Sequence, residues 1–269
     1  MMKRFKIVNI VLPLILFVLL GFTACSTDGD DGGEVIIEEE GEVEEEASIT
    51  ELSSAFDQFS DAVTVILSSD GTQIDIETTG FPNHRSIYWE TDNALYEDEP
   101  DVRKTTENTF IGGGRGEASS FTVDAVPDLT GATVATELGT IGIAVSGSAI
   151  FNDQEGMGDL DEAAGSLDWA GAHKGPGVYH YHLEPKPVTS DDDSLVGILM
   201  DGIFIYGRLC SSTGTYPTDL DASGGHTSTT QYESEAIYHY HIINEVYPTG
   251  GTYAYEPAYI LFAGPFQGY

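Results

Sequence analysis

Hydrophobic and polar residues alternate in short stretches along most of the chain after about residue 60. Alternation with a period of two predicts β-strands, and Gly, Asp, Asn and Pro between the stretches predict turns. The predicted strands are rich in β-branched and aromatic residues, and they cover 62–67, 73–78, 86–90, 120–126, 140–151, 195–206 and two Tyr-His-Tyr-His stretches. A short amphipathic helix is predicted from Thr50 to Phe59. The pattern therefore predicts a mainly β domain, an antiparallel sandwich or barrel.

The first 25 residues have a different pattern. Three basic residues among the first six precede an apolar stretch at 7–20, and Phe22-Thr23-Ala24-Cys25 resembles a bacterial lipobox. The apolar stretch contains Asn9 and Pro13 and is short for a membrane span. We expect residues 1–24 to be a lipoprotein signal peptide and Cys25 to be the lipidated residue. Acyl chains on Cys25 would anchor the protein to the bacterial outer membrane at the cell surface.

Residues 25–47 form the next predicted segment, which is rich in Asp, Glu and Gly and contains no Lys or Arg. Charge repulsion predicts a disordered, solvated tether. Removal of the signal peptide would leave seven basic against 45 acidic residues, a net charge of −38. Such a charge disfavours nucleic acid as a partner. Residues 48–269 are long enough for one sizeable domain with a hydrophobic core.

Six of the seven histidines lie in two copies of one pattern. Each copy begins with Leu-Asp, followed after four residues by a histidine and then by the Tyr-His-Tyr-His tetrad. The linker from the lone histidine to the tetrad has five residues in the first copy and eleven in the second. This difference indicates a loop insertion in a duplicated unit. Only His84 lies outside the pattern.

On an extended strand, the two histidines of each tetrad share one face and the tyrosines share the other. We expect both tetrads to direct their histidines into a common cavity that binds one or two transition-metal ions, zinc, copper or iron. Asp168 and Asp221 are predicted as ligands or as partners that orient an imidazole ring. The complete predicted ligand set is His173, His180, His182, His226, His239, His241, Asp168 and Asp221. Asp201 is a candidate hydrogen-bond partner of the histidines, although a β-bulge or hairpin at this position is favoured. Half-exposed structural histidines without metal are the alternative.

The chain resembles the YHYH domain proteins from about residue 80 to its C-terminus. The resemblance rests on the two tetrads and on two further segments, Gly142 to Asn152 and Met200 to Gly207. It implies a domain type and no reaction. Many members carry Cys-Asn-Gly before the lone histidine, whereas Ala170-Gly171-Ala172 and Ser223-Gly224-Gly225 stand here. A thiolate or disulfide at those places is therefore excluded. The lone Cys210 is interpreted as a small buried hydrophobic residue in preference to a metal thiolate or a nucleophile.

An acidic, glycine-containing loop follows the first of these segments. Asp153, Glu155, Asp159 and Asp161 are candidate oxygen ligands for calcium. Their spacing matches no EF-hand, so a solvated acidic loop is the alternative.

Three classes of function agree with these features, and the sequence assigns no catalytic residue. The first is a surface-anchored lipoprotein that binds a transition metal. The second is a secreted metalloenzyme, hydrolytic or oxidative. The third is a metal-free module whose aromatic strands bind a glycan or a protein. Metal analysis of purified protein distinguishes the third class from the other two.

Overall fold

Short strands dominate the structure, a computed structural model that describes residues 46–103, 110–112, 118–156, 158–175 and 177–269. The predicted signal peptide, Cys25 and all but the end of the predicted tether lie outside these residues. Among the described residues, no helix is long and apolar enough to cross a bilayer. The described strands are β1 Val63–Leu67, β2 Gln73–Thr78, β3 Ser119–Asp124, β4 Gly142–Ala144, β5 Ala149–Ile150, β6 Gln154–Glu155, β7 Gly158–Asp159, β8 Ala172–Lys174, β9 Tyr179–Tyr181, β10 Leu195–Leu199, β11 Phe204–Tyr206, β12 Gly225–Ser228, β13 Ile237–His241, β14 Val246–Tyr247 and β15 Ala258–Tyr259.

Two sheets pack face to face. β1, β2 and β3 form an antiparallel sheet in that order, and eight strands form the larger sheet in the order β12-β13-β11-β10-β4-β5-β9-β8. Ile76 and Val123 of the small sheet share a hydrophobic core with Ile143, Ile198 and Phe204 of the large one. This arrangement confirms the prediction of a mainly β fold and makes it sandwich-like.

The large sheet consists of two halves with the same topology. The first half runs β8-β9-β5-β4 and the second runs β12-β13-β11-β10. In each half an antiparallel hairpin, β4-β5 or β10-β11, pairs in parallel with a tetrad strand, β9 or β13. The tetrad strand then pairs with the short strand that carries the lone histidine. The two halves join through the antiparallel pair β4-β10. The strand topology thus supports the duplication inferred from the histidines.

The duplicated unit is longer than the histidine pattern. The segment 142–152 aligns without gaps on 197–207, with Gly-Ile at the start of each and a second glycine five residues after the first, at Gly147 and Gly202. Each segment forms a hairpin of its half. Each repeat therefore consists of this hairpin followed by the Leu-Asp-x4-His and tetrad strands.

A second hydrophobic core covers the other face of the large sheet. It contains the tyrosines of the tetrads and residues 87–89, 261–262 and 266 from loops. The stretch 86–90 was predicted as a strand, which is wrong apart from one bridge between Ser86 and Tyr96. Its consecutive residues Ile87, Tyr88 and Trp89 are all buried, so they follow no two-residue period.

Helical structure is limited to short segments in the described residues. The predicted helix at 50–59 is a 3₁₀ helix, Ser54–Gln58, whose Ala55 amide donates to the side chain of Ser53. A helix of four residues, α1, spans Leu160–Ala163, and a 3₁₀ helix follows at Ala164–Ser166. The pairs β6-β7 and β14-β15 are two-stranded ribbons outside the sandwich.

The junction of the two repeats gives a stability prediction. A Cβ on Gly197 would lie 2.3 Å from the carbonyl oxygen of Ile143 in the facing repeat. We expect Gly197→Ala to lower the free energy of unfolding by about 1–3 kcal/mol, because the paired backbone must move to relieve the clash. Urea unfolding measures the change. Gly156→Ala is the control, since its Cβ meets no atom within 4 Å; equal stability of the two variants would contradict the packing at the junction.

Candidate metal centres

Each tetrad strand presents its tyrosines to the hydrophobic core and its histidines to the opposite face. Tyr179, Tyr181 and Tyr240 are completely buried in the core of that face. Their hydroxyl groups require hydrogen-bond partners because they have no access to water.

Two carboxylates anchor the first tyrosine of each tetrad. Asp168 accepts from the hydroxyl of Tyr179 at 2.7 Å, and Asp221 accepts from that of Tyr238 at 2.8 Å. Each aspartate also accepts from two backbone amides of the turn that follows it. The prediction that Asp168 and Asp221 ligate metal or orient an imidazole is therefore wrong. The constant spacing of Leu-Asp-x4-His reflects a turn that the aspartate closes.

The second tyrosine of each tetrad is anchored from the hairpin. The hydroxyl of Tyr240 donates to Asp201 at 2.5 Å, and that of Tyr181 lies 2.8 Å from the side chain of Ser146. Ser146 and Asp201 occupy the same place in the two repeats. Asp201 also accepts from the backbone amides of Gln267 and Gly268. Asp201 thus supports the tetrad strand through Tyr240 and does not contact the histidines, contrary to its predicted role.

The first repeat gathers His173, His180, His182 and Glu155 into one cluster. The Nε2 atoms of His173 and His182 lie 2.9 and 3.0 Å from the same carboxylate oxygen, Oε1 of Glu155. The Nε2 atoms of His173 and His180 are 3.0 Å apart. All three imidazoles are buried. Donor atoms bound to one tetrahedral zinc ion are about 3.3 Å apart, so the cluster has nearly the dimensions of a metal site.

Hydrogen bonds determine the tautomers of these three rings. Nδ1 of His180 donates to the carbonyl of Val178, and Nδ1 of His182 donates to that of Asn152. Nδ1 of His173 donates to Ser166, whose own hydroxyl donates to a backbone carbonyl. A neutral imidazole that donates through Nδ1 has a lone pair on Nε2. Three lone pairs and a carboxylate oxygen therefore face one another, an arrangement that a cation stabilises.

The second repeat gathers His226, His239, His241 and Cys210 in the same way. Nδ1 of His239 donates to the carbonyl of Ile237, and Nδ1 of His241 to that of Gly207. Nδ1 of His226 instead donates to the carboxylate of Asp219 at 2.9 Å. Sγ of Cys210 lies 3.5 Å from Nε2 of His226. This is close to the separation of about 3.6 Å between sulfur and nitrogen ligands of one zinc ion.

Sequence reasoning missed the fourth member of each cluster. Glu155 was assigned to a calcium loop, and for Cys210 a small buried hydrophobic residue was preferred to a metal thiolate. In the aligned repeats both residues lie three positions after the residue whose carbonyl accepts from the last histidine, Asn152 or Gly207. Alignment of the two hairpins, extended by three residues, would have found the pair.

The structure does not gather the four predicted calcium ligands, because Glu155 turns toward the histidines. Among the described residues, the groups of three or more His, Cys, Asp or Glu side chains within 4.8 Å of one another are these two clusters, and neither contains Asp153, Asp159 or Asp161. In the β6-β7 ribbon Asp159 pairs with Gln154 and Glu155 pairs with Gly158, so Glu155 and Asp159 point to opposite faces of the ribbon.

The prediction that both tetrads line a single common cavity is also wrong. β9 and β13 are five strand spacings apart in the large sheet, or about 24 Å at about 4.8 Å per spacing. Each tetrad completes its cluster with residues of its own repeat. The six predicted histidines therefore come together in two groups of three.

Burial favours the neutral form of four of the clustered imidazoles. It lowers the pKa of His239 and of His241 to about 4, and it lowers the pKa of His173 and His180 as well. The pKa of Cys210 falls to about 7, because hydrogen bonds from Ser212 and Ser228 outweigh its burial.

His84 lies outside both clusters, and its buried ring allows a prediction about stability. Its Nδ1 donates to the carbonyl of Arg85, and its Nε2 accepts from Tyr181 at 2.6 Å. Burial lowers the pKa of His84 to about 4 from an ordinary value of 6.5, so the unfolded chain binds this proton first as the pH falls. The folded state should therefore lose about 2 kcal/mol of stability between pH 7.5 and 5, and only about a fifth of this loss should occur above pH 6.5.

The measurement is the free energy of unfolding of metal-free wild type and His84→Gln across this range. The variant loses stability at neutral pH, and the difference between the two proteins should shrink toward pH 5. A pH-independent difference would show that His84 does not titrate in this way.

Comparison with known proteins locates the domain. Residues 120–218 match the family described as YHYH protein. The match contains the first cluster and Cys210, whereas His226, His239 and His241 lie beyond it. No curated protein sequence and no solved structure matches the chain significantly. Residues 120–218 are thus similar to the YHYH protein family, in agreement with the resemblance that the motifs indicated.

Proposed function

We propose that the domain binds two divalent transition-metal ions, one in each repeat. The observation that carries this proposal is the set of contacts around the imidazoles: in both clusters every Nδ1 faces an oxygen outside the cluster, so every Nε2 points into it. Glu155 Oε1, His182 Nε2 and His241 Nε2 are buried without a hydrogen-bond donor among the described residues. Buried acceptors of this kind are costly unless a cation serves them.

The number of donors favours metal binding over catalysis. Four side-chain donors lie within 4.8 Å of one another in each cluster. Structural and storage sites for zinc have four protein ligands, whereas catalytic sites keep one position for water or substrate. The cell-surface domain would therefore hold or sequester metal, and a metalloenzyme is the second candidate. Imidazole ligands suit zinc, copper and iron alike.

The orientation of the tetrads argues against a metal-free module that binds through its aromatic strands. Such a module would present the tyrosines to its ligand. Tyr179, Tyr181 and Tyr240 are instead completely buried, and their hydroxyl groups are used inside the domain.

We also propose that the protein is lipid-anchored at the outer membrane. The support is the order of the basic residues, the apolar stretch and the lipobox that ends at Cys25. The acidic segment up to residue 47 would hold the metal-binding domain away from the membrane and raise the local concentration of cations.

We expect full-length protein, purified without an affinity tag, to bind two zinc ions per chain. The double change His180→Ala with His182→Ala should remove one ion, and His239→Ala with His241→Ala should remove the other. Elemental analysis after dialysis counts the ions. Each ion should also raise the melting temperature, because the unfolded chain does not hold the ligands together.

His84→Gln is the matched control, since it changes a buried imidazole outside both clusters. It should lower stability but leave both ions bound. Protein that binds no zinc, copper or iron, and whose melting temperature these ions do not change, would refute the proposed function.

The anchor has its own test. Cys25→Ser should prevent lipidation and release the protein into the soluble fraction of the cells, whereas Cys210→Ser should leave the protein with the membranes. Fractionation followed by immunoblotting compares the variants. If Cys25→Ser stays with the membranes as the parent does, the lipoprotein proposal fails.

A further inference from the structure

The two clusters differ at one ligand position. Each has three imidazoles in the same arrangement, but the fourth donor is the carboxylate of Glu155 in the first repeat and the thiolate of Cys210 in the second. Building on the proposed function, we propose that the two centres select different metals. The Cys210 centre is specific for a soft ion such as Zn²⁺, and the Glu155 centre accepts the harder ions Mn²⁺ and Fe²⁺.

The second centre is built for a soft ion. Thiolate ligands select zinc over manganese, which prefers oxygen. The hydroxyl groups of Ser212 and Ser228 lie 3.1 and 3.4 Å from Sγ of Cys210, where they can donate to a thiolate. Asp219 accepts from His226 Nδ1, and a carboxylate in this position makes the imidazole a stronger ligand. Cys210 is only 1% exposed, so the thiolate is shielded from solvent.

The first centre offers more room and harder donors. The side chain of Glu155 is 24% exposed and lies on the β6-β7 ribbon outside the sandwich. A carboxylate can ligate through one oxygen or two, and water can enter beside it, so the coordination number can exceed four. Manganese and ferrous ions prefer such oxygen-rich, higher-coordinate sites. In this centre His173 donates to the neutral hydroxyl of Ser166, whereas the equivalent His226 donates to the carboxylate of Asp219.

The difference is confined to this donor and its neighbours. The remaining two imidazoles of each centre have equivalent partners, because His180 and His239 donate to the carbonyl two residues earlier, and His182 and His241 donate to the hairpin. Metal selectivity should therefore follow the fourth donor when it is exchanged between the repeats.

The experiment uses full-length protein in which one centre is retained. The change His180→Ala with His182→Ala keeps the Cys210 centre, and His239→Ala with His241→Ala keeps the Glu155 centre. Competition dialysis against mixtures of Zn²⁺ and Mn²⁺ gives the ratio of the two affinities. We expect this ratio to be larger at the Cys210 centre than at the Glu155 centre by about tenfold or more. Adding Cys210→Glu should lower the ratio of zinc to manganese affinity at the Cys210 centre. Adding Glu155→Cys should raise this ratio at the Glu155 centre.

Cobalt provides a second measurement that does not depend on the exchanged variants folding. Co²⁺ bound to wild-type protein should show a thiolate-to-cobalt charge-transfer band. The band should persist when the Glu155 centre is removed and disappear when the Cys210 centre is removed. The cobalt measurement is also independent of any preference of either centre for manganese.

The outcomes separate the two proposals. Two bound ions with the same selectivity at both centres, or cobalt without a thiolate band, would overturn metal selection and leave two-ion binding intact. Protein that binds no metal at either centre would overturn both. Selectivity that moves with the fourth donor would support the inference.

Discussion

The register of the tetrad strands determines the chemistry of this domain. A strand that slips by one residue exchanges its two faces, which here would bury imidazoles in the hydrophobic core and direct tyrosines into the metal cluster. Hydrogen bonds fix the register: Asp168 and Asp221 accept from the first tyrosine of each tetrad, and Ser146 and Asp201 contact the second. The acidic residues next to the histidines in sequence therefore act on the opposite face of the strand.

Parallel pairing places the ligands without a long loop. Each hairpin runs beside its tetrad strand, so its end lies next to the last histidine and accepts from its Nδ1 through the carbonyl of Asn152 or Gly207. Three residues further along the chain, Glu155 or Cys210 lies beside the histidines. One local path thus supplies both the acceptor that orients the ring and the fourth donor. The repeats have retained this path while their donors have diverged.

Burial of so many imidazoles links metal binding to stability. Desolvation disfavours the protonated rings, and their neutral forms direct lone pairs at one another and at a carboxylate or thiolate. This unfavourable contact occurs in both repeats. A bound cation would remove it, so loading should stabilise each half of the sheet where its tetrad strand pairs.

The sequence by itself determined the β class, the duplication and the faces of the tetrads, because these depend on local periodicity and spacing. It indicated six histidines but not their grouping. The two tetrad strands are five positions apart in the large sheet. Strand order depends on long-range pairing, which local sequence patterns do not predict. For the same reason the sequence did not identify the fourth donor of each cluster. Glu155 in an acidic loop and the solitary Cys210 have no distinguishing neighbours in the sequence, and only the parallel hairpins bring them to the histidines. Asp168 and Asp221 were misassigned for the converse reason: they are close to the histidines along the chain, but the pleat of the strand directs their tyrosine partners to the opposite face.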